Sequence, residues 1–386
     1  MPHHSEEFHT IVLGLGGMGS AACYHLSKRG HSVLGIEQFG IAHTHGASFG
    51  ESRIFRYSQF AGPEYVPLAI RAKELWDELE AYSDQKILHM TGGLDAGPED
   101  GTIFPGALRS CEENGLQHEV LTPADTKDRF PAFSLPDHYK CLYQPDAGFL
   151  VPEHAISAHI NAALSHSTQI RTFEKVIAVT PDGNGVTVET NKNKYRAAHL
   201  VLSGGAWTGE VLPVLKDILT PERGCVGWFL PQNPDHYKIG TCPIFIIDDG
   251  EESFYGFPQY GRPGFKIGAN VHLSEYGTAE GLRRGVDDKD EARMRHFLTQ
   301  FLPGGNGPML AASDCVWTLT PDEHFILDTH PDYPHIAIAA GFSGYGFKFC
   351  PVVGEIMADL IDHGATRHEI GLHSLARFDN AAAAQL

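Results

Sequence analysis

Thr10-Ile11-Val12-Leu13 runs into Gly14-Leu15-Gly16-Gly17-Met18-Gly19, then into the helical pattern of residues 20–30, and then into an apolar stretch from Ser32 to Ile36 that ends at Glu37. The order strand, glycines, helix, strand, acid is that of a dinucleotide-binding βαβ unit. Gly14 permits the tight turn, Gly16 lets the backbone approach a pyrophosphate, and Gly19 lets the helix pack closely on the sheet. The helix start offers free N–H groups and a positive dipole end to phosphates. Glu37 lies 18 residues past Gly19, where a carboxylate accepts hydrogen bonds from ribose hydroxyls and repels a 2′-phosphate. This unit does not by itself separate FAD from NAD.

Outward from this unit the chain keeps α/β character. Its 386 residues exceed one ordinary core, so two domains are expected. A helical stretch from Glu64 puts Leu68, Leu75 and Leu79 on one face. Short alternating segments with Gly and Pro punctuation occupy roughly 86–144. A helix over about 153–164 precedes strand-like runs at 175–179 and 185–189, and a buried strand at 199–202. Between about Pro221 and Thr318 short aromatic strands dominate, interrupted by a helix near 288–301. A strand at 335–339, a glycine-rich segment from Gly341 to Lys348 and a helix at 352–361 close the pattern. The expected architecture is α/β, with a Rossmann-type nucleotide domain over 8–84, 147–217 and 322–376 and a β-rich, mixed-sheet substrate domain over 85–146 and 219–321. Residues 377–386 read as a flexible tail.

Composition excludes several classes. Lys and Arg total 29 against 48 Asp and Glu, a formal charge of −19, which disfavours nucleic acid and anionic membranes as partners. Seven scattered cysteines with no C-x-x-C pair suit a reducing compartment rather than a disulfide framework. No apolar run approaches the roughly 20 residues of a membrane span, the start lacks signal-peptide character, and the AAAAQL end is not a peroxisomal address. A cytoplasmic location is expected. The 23 histidines form no H-x-x-x-H or H-E-x-x-H, so no metal is expected.

Four spaced motifs carry a resemblance: Gly14 to Gly19, His43 to Arg56, Thr320 to Phe325 and Gly341 to Phe349. Together, and over nearly the whole chain, they resemble the monomeric sarcosine oxidase and N-methyltryptophan oxidase family, flavin-dependent oxidases of secondary amino acids with the glycine/D-amino-acid oxidase fold. The resemblance implies FAD, held by Gly14, Gly16, Gly17, Met18, Gly19, Glu37, His45, Ser48, Arg53, Val176, Gly204, Gly341, Gly344, Gly346 and Lys348. It implies a covalent thioether to Cys315, which composition alone reads as a small buried apolar residue; a thiolate is needed, and Arg53 is a cation to favour it. Arg56 and Lys348 match the residues that bind a substrate carboxylate, although two arginines in a glycine-flanked segment otherwise read as a mobile surface pair. Arg53 matches a residue beside the flavin.

Lys266, alone in an apolar strand, otherwise reads as a lysine that snorkels to water; the resemblance makes it the site of dioxygen activation, where a fixed positive charge stabilises superoxide. Tyr255 matches a pocket tyrosine. Three positions depart from the family pattern: Phe49 and Asn270 stand where sarcosine oxidase has histidines, and Trp317 where it has tyrosine. They put sarcosine itself in doubt as substrate. The implied reaction is oxidation of a secondary or cyclic amino acid by a monomer, with dioxygen reduced to hydrogen peroxide. The alternatives are a noncovalent amino-acid oxidase or dehydrogenase of the same fold, a nicotinamide-dependent dehydrogenase sharing the first 37 residues, and a non-catalytic flavoprotein.

Overall fold

The computed structural model describes residues 7–270 and 273–378. Three sheets organise them. In the first, Glu7–Leu13 lies between Val33–Ile36 and Lys194–Leu202, parallel to both. Gln169–Arg171 extends it beyond Val33–Ile36. On the far side of Lys194–Leu202 the early residues pair antiparallel with Gly185–Thr190, and the late ones pair parallel with Ile336–Ala340. The central strands read as apolar runs because both faces are covered, as parallel sheets require.

The helix Gly17–Lys28 packs between Pro152–Ser165 and Cys350–His363. The approach is close: a Cβ at Gly354 would lie 2.6 Å from the Ala21 backbone carbon. Pro63–Tyr65 and Val66–Ser83 form the helical stretch expected from Glu64, and Leu68, Leu75 and Leu79 are all buried.

The second sheet has eight strands in the order Met309–Leu319, Thr220–Phe229, Phe265–Ala269, Ser253–Phe257, Ile244–Asp248, Gly93–Pro98, Tyr139–Gln144 and Glu119–Leu121. Only the Ile244–Asp248 and Gly93–Pro98 pair is parallel. The helix Asp288–Phe301 packs on it, started by a capping box between Asp287 and Asp290.

The stretch 86–144 is not made of short alternating segments alone. It contains the helices Ile103–Glu113 and Pro123–Arg129. Pro105 and Gly106 lie in the first turn of Ile103–Glu113, where proline is tolerated, and Phe104, Ala107 and Cys111 bury against Leu142. Burial of that face outweighs the poor propensity.

A third sheet joins Arg53–Phe55, Gly148–Leu150 and Leu88–Met90. The segment holding both arginines is therefore not a mobile surface loop: Arg53 is opposite Leu150 in register, and Arg56 is 2% exposed. At the other end, Arg377 donates to Asp322 at 2.7 Å from a 3₁₀ turn over Leu375–Phe378. The remainder of the expected tail, 379–386, lies outside the described residues. No helix among the described residues is long and apolar enough to cross a membrane.

Candidate active site

One cavity of about 650 Å³ runs from the first sheet into the second. At the nucleotide end the turn is built as the glycines predict. Gly14 has φ +82°, and a Cβ at Gly19 would fall 1.8 Å from the Gly14 carbonyl oxygen. Gly14, Gly16, Gly17 and Met18 face the cavity, and Gly19 packs behind it. No side chain caps the helix at Gly16, although Ser48 Oγ accepts from the Gly17 N–H at 3.3 Å. The first-turn donors thus point at whatever fills the cavity.

Glu37 is buried and binds the loop as well as facing the cavity. Its Oε2 accepts from Leu15 N–H at 2.8 Å and its Oε1 from Phe39 N–H at 3.0 Å. Burial alone raises its pKa, but His43, 3.4 Å from Oε1, and the two backbone donors win and hold it below the ordinary value. Val176, Gly204, Gly341, Gly344 and Gly346 complete this wall. His45 does not: it is exposed and stacks on Phe39 at 4.2 Å. His43, which the sequence reading passed over, lines the cavity in its place.

Further along, Arg53, Arg56, Tyr255, Asn270, Cys315, Trp317 and Lys348 line the same cavity. Arg53 is anchored by its Nε and Nη2 on the Ala47 carbonyl and by Nη1 on that of Ser52. Cys315 packs with Phe49 and Trp317; Phe49 itself lies behind the lining. Burial raises the Cys315 thiol pKa, and Arg53 and Lys266 only partly offset it. The expected thiolate is therefore not the resting form here. Asn270 donates to Ser253 Oγ, which fixes its amide.

Lys266 is 2% exposed and stands one layer behind the lining, in the field of Arg53. Its Nζ donates to the Gly50 and Ser52 carbonyls, each at 2.8 Å, and sits 4.2 Å from the Phe257 ring centroid. Burial pushes its pKa well below the ordinary lysine value, and Arg53 adds to that shift.

The two cations expected to grip a carboxylate are brought together, and both are already engaged. Lys348 Nζ donates to the Arg56 carbonyl at 2.9 Å, the Ser58 carbonyl at 3.2 Å and Gln59 Oε1 at 3.0 Å. Arg56 Nη1 is in ion-pair contact with Asp95, and its guanidinium lies 5.4 Å from the Phe60 ring centroid. Asp95 also accepts from Gln144 at 2.9 Å. What stays uncommitted among the described residues is the Nε and Nη2 edge of Arg56.

Two acids went unread in the sequence: Asp95, behind Arg56, and Glu222, on the cavity wall. Glu222 stands opposite Trp317 in register and its Oε2 accepts from the indole N–H at 2.7 Å. The Trp317 ring crosses the partner strand over Gly224, where any Cβ would meet it at 1.9 Å. The adjacent charges Glu222 and Arg223 near the start of an otherwise largely apolar ten-residue strand were the available signal. Among the described residues no cluster of side chains suits a metal ion.

Residues 9–360 match the model of a family described as FAD dependent oxidoreductase. The chain belongs to that family. A glycine cradle free of Cβ atoms, an acid at the end of the second strand and a cavity reaching the second sheet all fit FAD. This family member is 39% identical to the monomeric sarcosine oxidase of Bacillus sp. (strain NS-129), over 97% of each chain. It is 32% identical to the N-methyl-L-tryptophan oxidase of Yersinia pestis (strain Pestoides F), over 96% of this chain and all of that one. Among solved structures it is similar to glycine oxidase from Geobacillus kaustophilus, with a TM-score of 0.81 at 20% identity, covering 97% of this chain and 99% of the other. It is also similar to L-proline dehydrogenase from P. horikoshii, with a TM-score of 0.83 at 21% identity, covering 98% and 99%. These structural likenesses speak to the fold.

Proposed function

We infer that the chain is an FAD-dependent oxidase of a secondary amine, one bearing an N-alkyl or cyclic amino-acid group, that yields an imine and hydrogen peroxide. The observation that carries this reading is the single cavity in which the glycine cradle of Gly14–Gly19 and the wall of Arg56, Tyr255 and Trp317 meet. The relatedness to a sarcosine oxidase and an N-methyl-L-tryptophan oxidase supports the amine class.

FAD, when bound, takes two electrons and a proton from the carbon–nitrogen unit of the amine and passes the electrons to dioxygen. The protein supplies position and charge. Trp317 and Tyr255 exclude water from the apolar part of the cavity. The free Nε and Nη2 edge of Arg56 is the fork for a substrate carboxylate. Arg53 stabilises negative charge at the cavity wall. Lys266, held on two carbonyls beside Arg53, is the cation assigned to dioxygen. Cys315, buried beside Arg53, is the residue that would hold the flavin covalently through its sulfur. Water then hydrolyses the released imine to a carbonyl compound and an amine.

The raised thiol pKa favours a second reading at one point only, a flavin held without the thioether. Acid precipitation of the purified protein separates the two. Yellow colour in the pellet supports attachment through Cys315; colour in the supernatant leaves a noncovalent oxidase or dehydrogenase. Anaerobic addition of secondary amino acids then tests the activity. Bleaching of the flavin, with peroxide formed on readmitting oxygen, is the expected result. Bleaching without peroxide points to a dehydrogenase, and no bleaching by any amine overturns the reading in favour of a non-catalytic flavoprotein.

A further inference from the structure

Among the described residues the other buried acids are partnered: Asp95 meets Arg56, Asp290 meets Arg223, Glu355 meets Arg71, Glu37 lies beside His43, and Glu174 accepts from the Thr190 and Tyr195 hydroxyls. Glu222 is different. It is 1% exposed on the wall of the cavity, its Oε2 takes one hydrogen bond from Trp317, and its Oε1 has no hydrogen-bond partner among the described residues. No lysine, arginine or histidine among them forms an ion pair with it. Burial, with Glu323 on the cavity wall adding to it, raises its pKa, which the Trp317 bond only partly offsets. An unliganded Glu222 therefore takes up a proton more readily than an ordinary carboxylate, and a cation beside it would restore the charged form. A buried carboxylate normally has a counter-charge and a full set of donors, because leaving either out costs several kcal/mol. Here both are missing on the side of the molecule where a ligand binds.

We propose that Glu222 is a specificity-determining residue that receives a cationic, hydrogen-bond-donating side group of the amine substrate. The inference rests on the amine-oxidase reading above and adds the substrate class: a secondary amino acid whose side chain ends in an ammonium group. Trp317 positions the carboxylate by holding Oε2 from directly across the strand pair, and leaves the buried Oε1 without a donor. A neutral hydroxyl would satisfy the hydrogen bond and leave the charge unmet. With Glu323 adding charge of the same sign, the cation is the better complement. Asp95 acts in the same direction by offsetting the charge of Arg56, so the substrate region is less cationic than a bare Arg56–Lys348 clamp.

The test compares three ligands of equal side-chain length on the flavin-loaded enzyme: Nα-methylornithine, Nα-methylnorleucine and the N-methyl derivative of 5-hydroxynorvaline. Anaerobic flavin reduction gives a Kd and a limiting rate for each. The ornithine derivative is expected to bind about 10-fold or more tightly than the norleucine derivative, as a charge-assisted bond implies. Glu222→Gln is expected to bring the two within a few-fold. Flavin content and thermal unfolding of the variant are measured alongside. Should the variant fail to load flavin, the wild-type comparison still decides. Equal binding of the ornithine and norleucine derivatives by wild type, a preference for the hydroxyl, or a preference that survives in Glu222→Gln would each overturn the proposal. Failure of all three ligands and of N-methylglycine to reduce the flavin would instead overturn the amine-oxidase reading, and the proposal with it.

Discussion

Asp95 and Arg56 form a buried ion pair behind the cavity wall, so the arginine assigned to a carboxylate already has one. The pair fixes the guanidinium against Phe60 and sets how much charge it presents. Removing one partner leaves an uncompensated buried charge. Asp95→Ala should lower stability by about 3–5 kcal/mol, read by urea unfolding. Where the variant folds, simple carboxylates should perturb its flavin spectrum at lower concentration than in the wild type, because Arg56 is no longer neutralised.

Gly16 and Gly19 should separate cofactor binding from folding. A Cβ at Gly16 meets nothing closer than Ser48 Oγ at 3.5 Å, and the residue has φ −69°, open to alanine. Gly16→Ala should keep unfolding free energy within about 1 kcal/mol of wild type in the flavin-free protein and weaken FAD retention. Gly19→Ala drives a methyl into the Gly14 carbonyl and should destabilise the flavin-free protein as well. Thermal melts with and without added FAD distinguish them.

Burial holds the Cys315 thiol above its ordinary pKa, and only the thiolate is a competent nucleophile. Covalent incorporation of FAD into flavin-free enzyme should therefore accelerate as pH rises, with no plateau near the ordinary thiol value. In-gel flavin fluorescence against time, at several pH values, measures this. Cys315→Ala should show no fluorescence at any pH.

Lys266→Met should slow reoxidation by dioxygen far more than anaerobic reduction by substrate, followed by stopped-flow absorbance. It also removes the donor from the Gly50 and Ser52 carbonyls, so a stability loss of about 1–3 kcal/mol is expected with it. Equal slowing of both half-reactions would assign Lys266 to holding that segment alone.

Three histidines are buried in neutral form: burial lowers His25 and His373 to about 4 and His159 to about 3. Their folded pKa values lie below the ordinary 6.5, so the unfolded chain binds more protons between those limits. The stability they contribute is full above pH 6.5 and lost as pH falls toward 4, with a slope of up to about 1.4 kcal/mol per pH unit for each. Urea melts at pH 7, 6 and 5 should show this decline before the carboxylates titrate.

The nucleotide half of the molecule was legible in the sequence because its signals are local. The apolar run before Gly14, the spacing to Gly19 and the acid at Glu37 are set within one βαβ unit, and the helix Asp288–Phe301 follows its own cap at Asp287. The helix Pro123–Arg129 also had a local signal, the capping box of Thr122 and Asp125, overshadowed by the surrounding Gly and Pro. The substrate end was less legible. Asp95 and Glu222 are charged residues in strands, and nothing nearby in sequence says that one will meet Arg56 and the other Trp317. Those pairings exist only once two sheets are assembled. The resemblance assigned Lys348 to a substrate carboxylate, and nothing local in the sequence says that its three donors also reach the Arg56–Gln59 segment.

The strand Ile336–Ala340 pairs with Lys194–Leu202, which in turn pairs with Glu7–Leu13, and the loop from Gly341 to Lys348 then closes one side of the cavity. During synthesis the glycine turn leaves the ribosome more than three hundred residues before that loop. A nascent chain halted before Ile336 carries the phosphate turn but lacks the loop that closes the cavity, so a closed flavin site requires the first sheet to receive its late strand Ile336–Ala340.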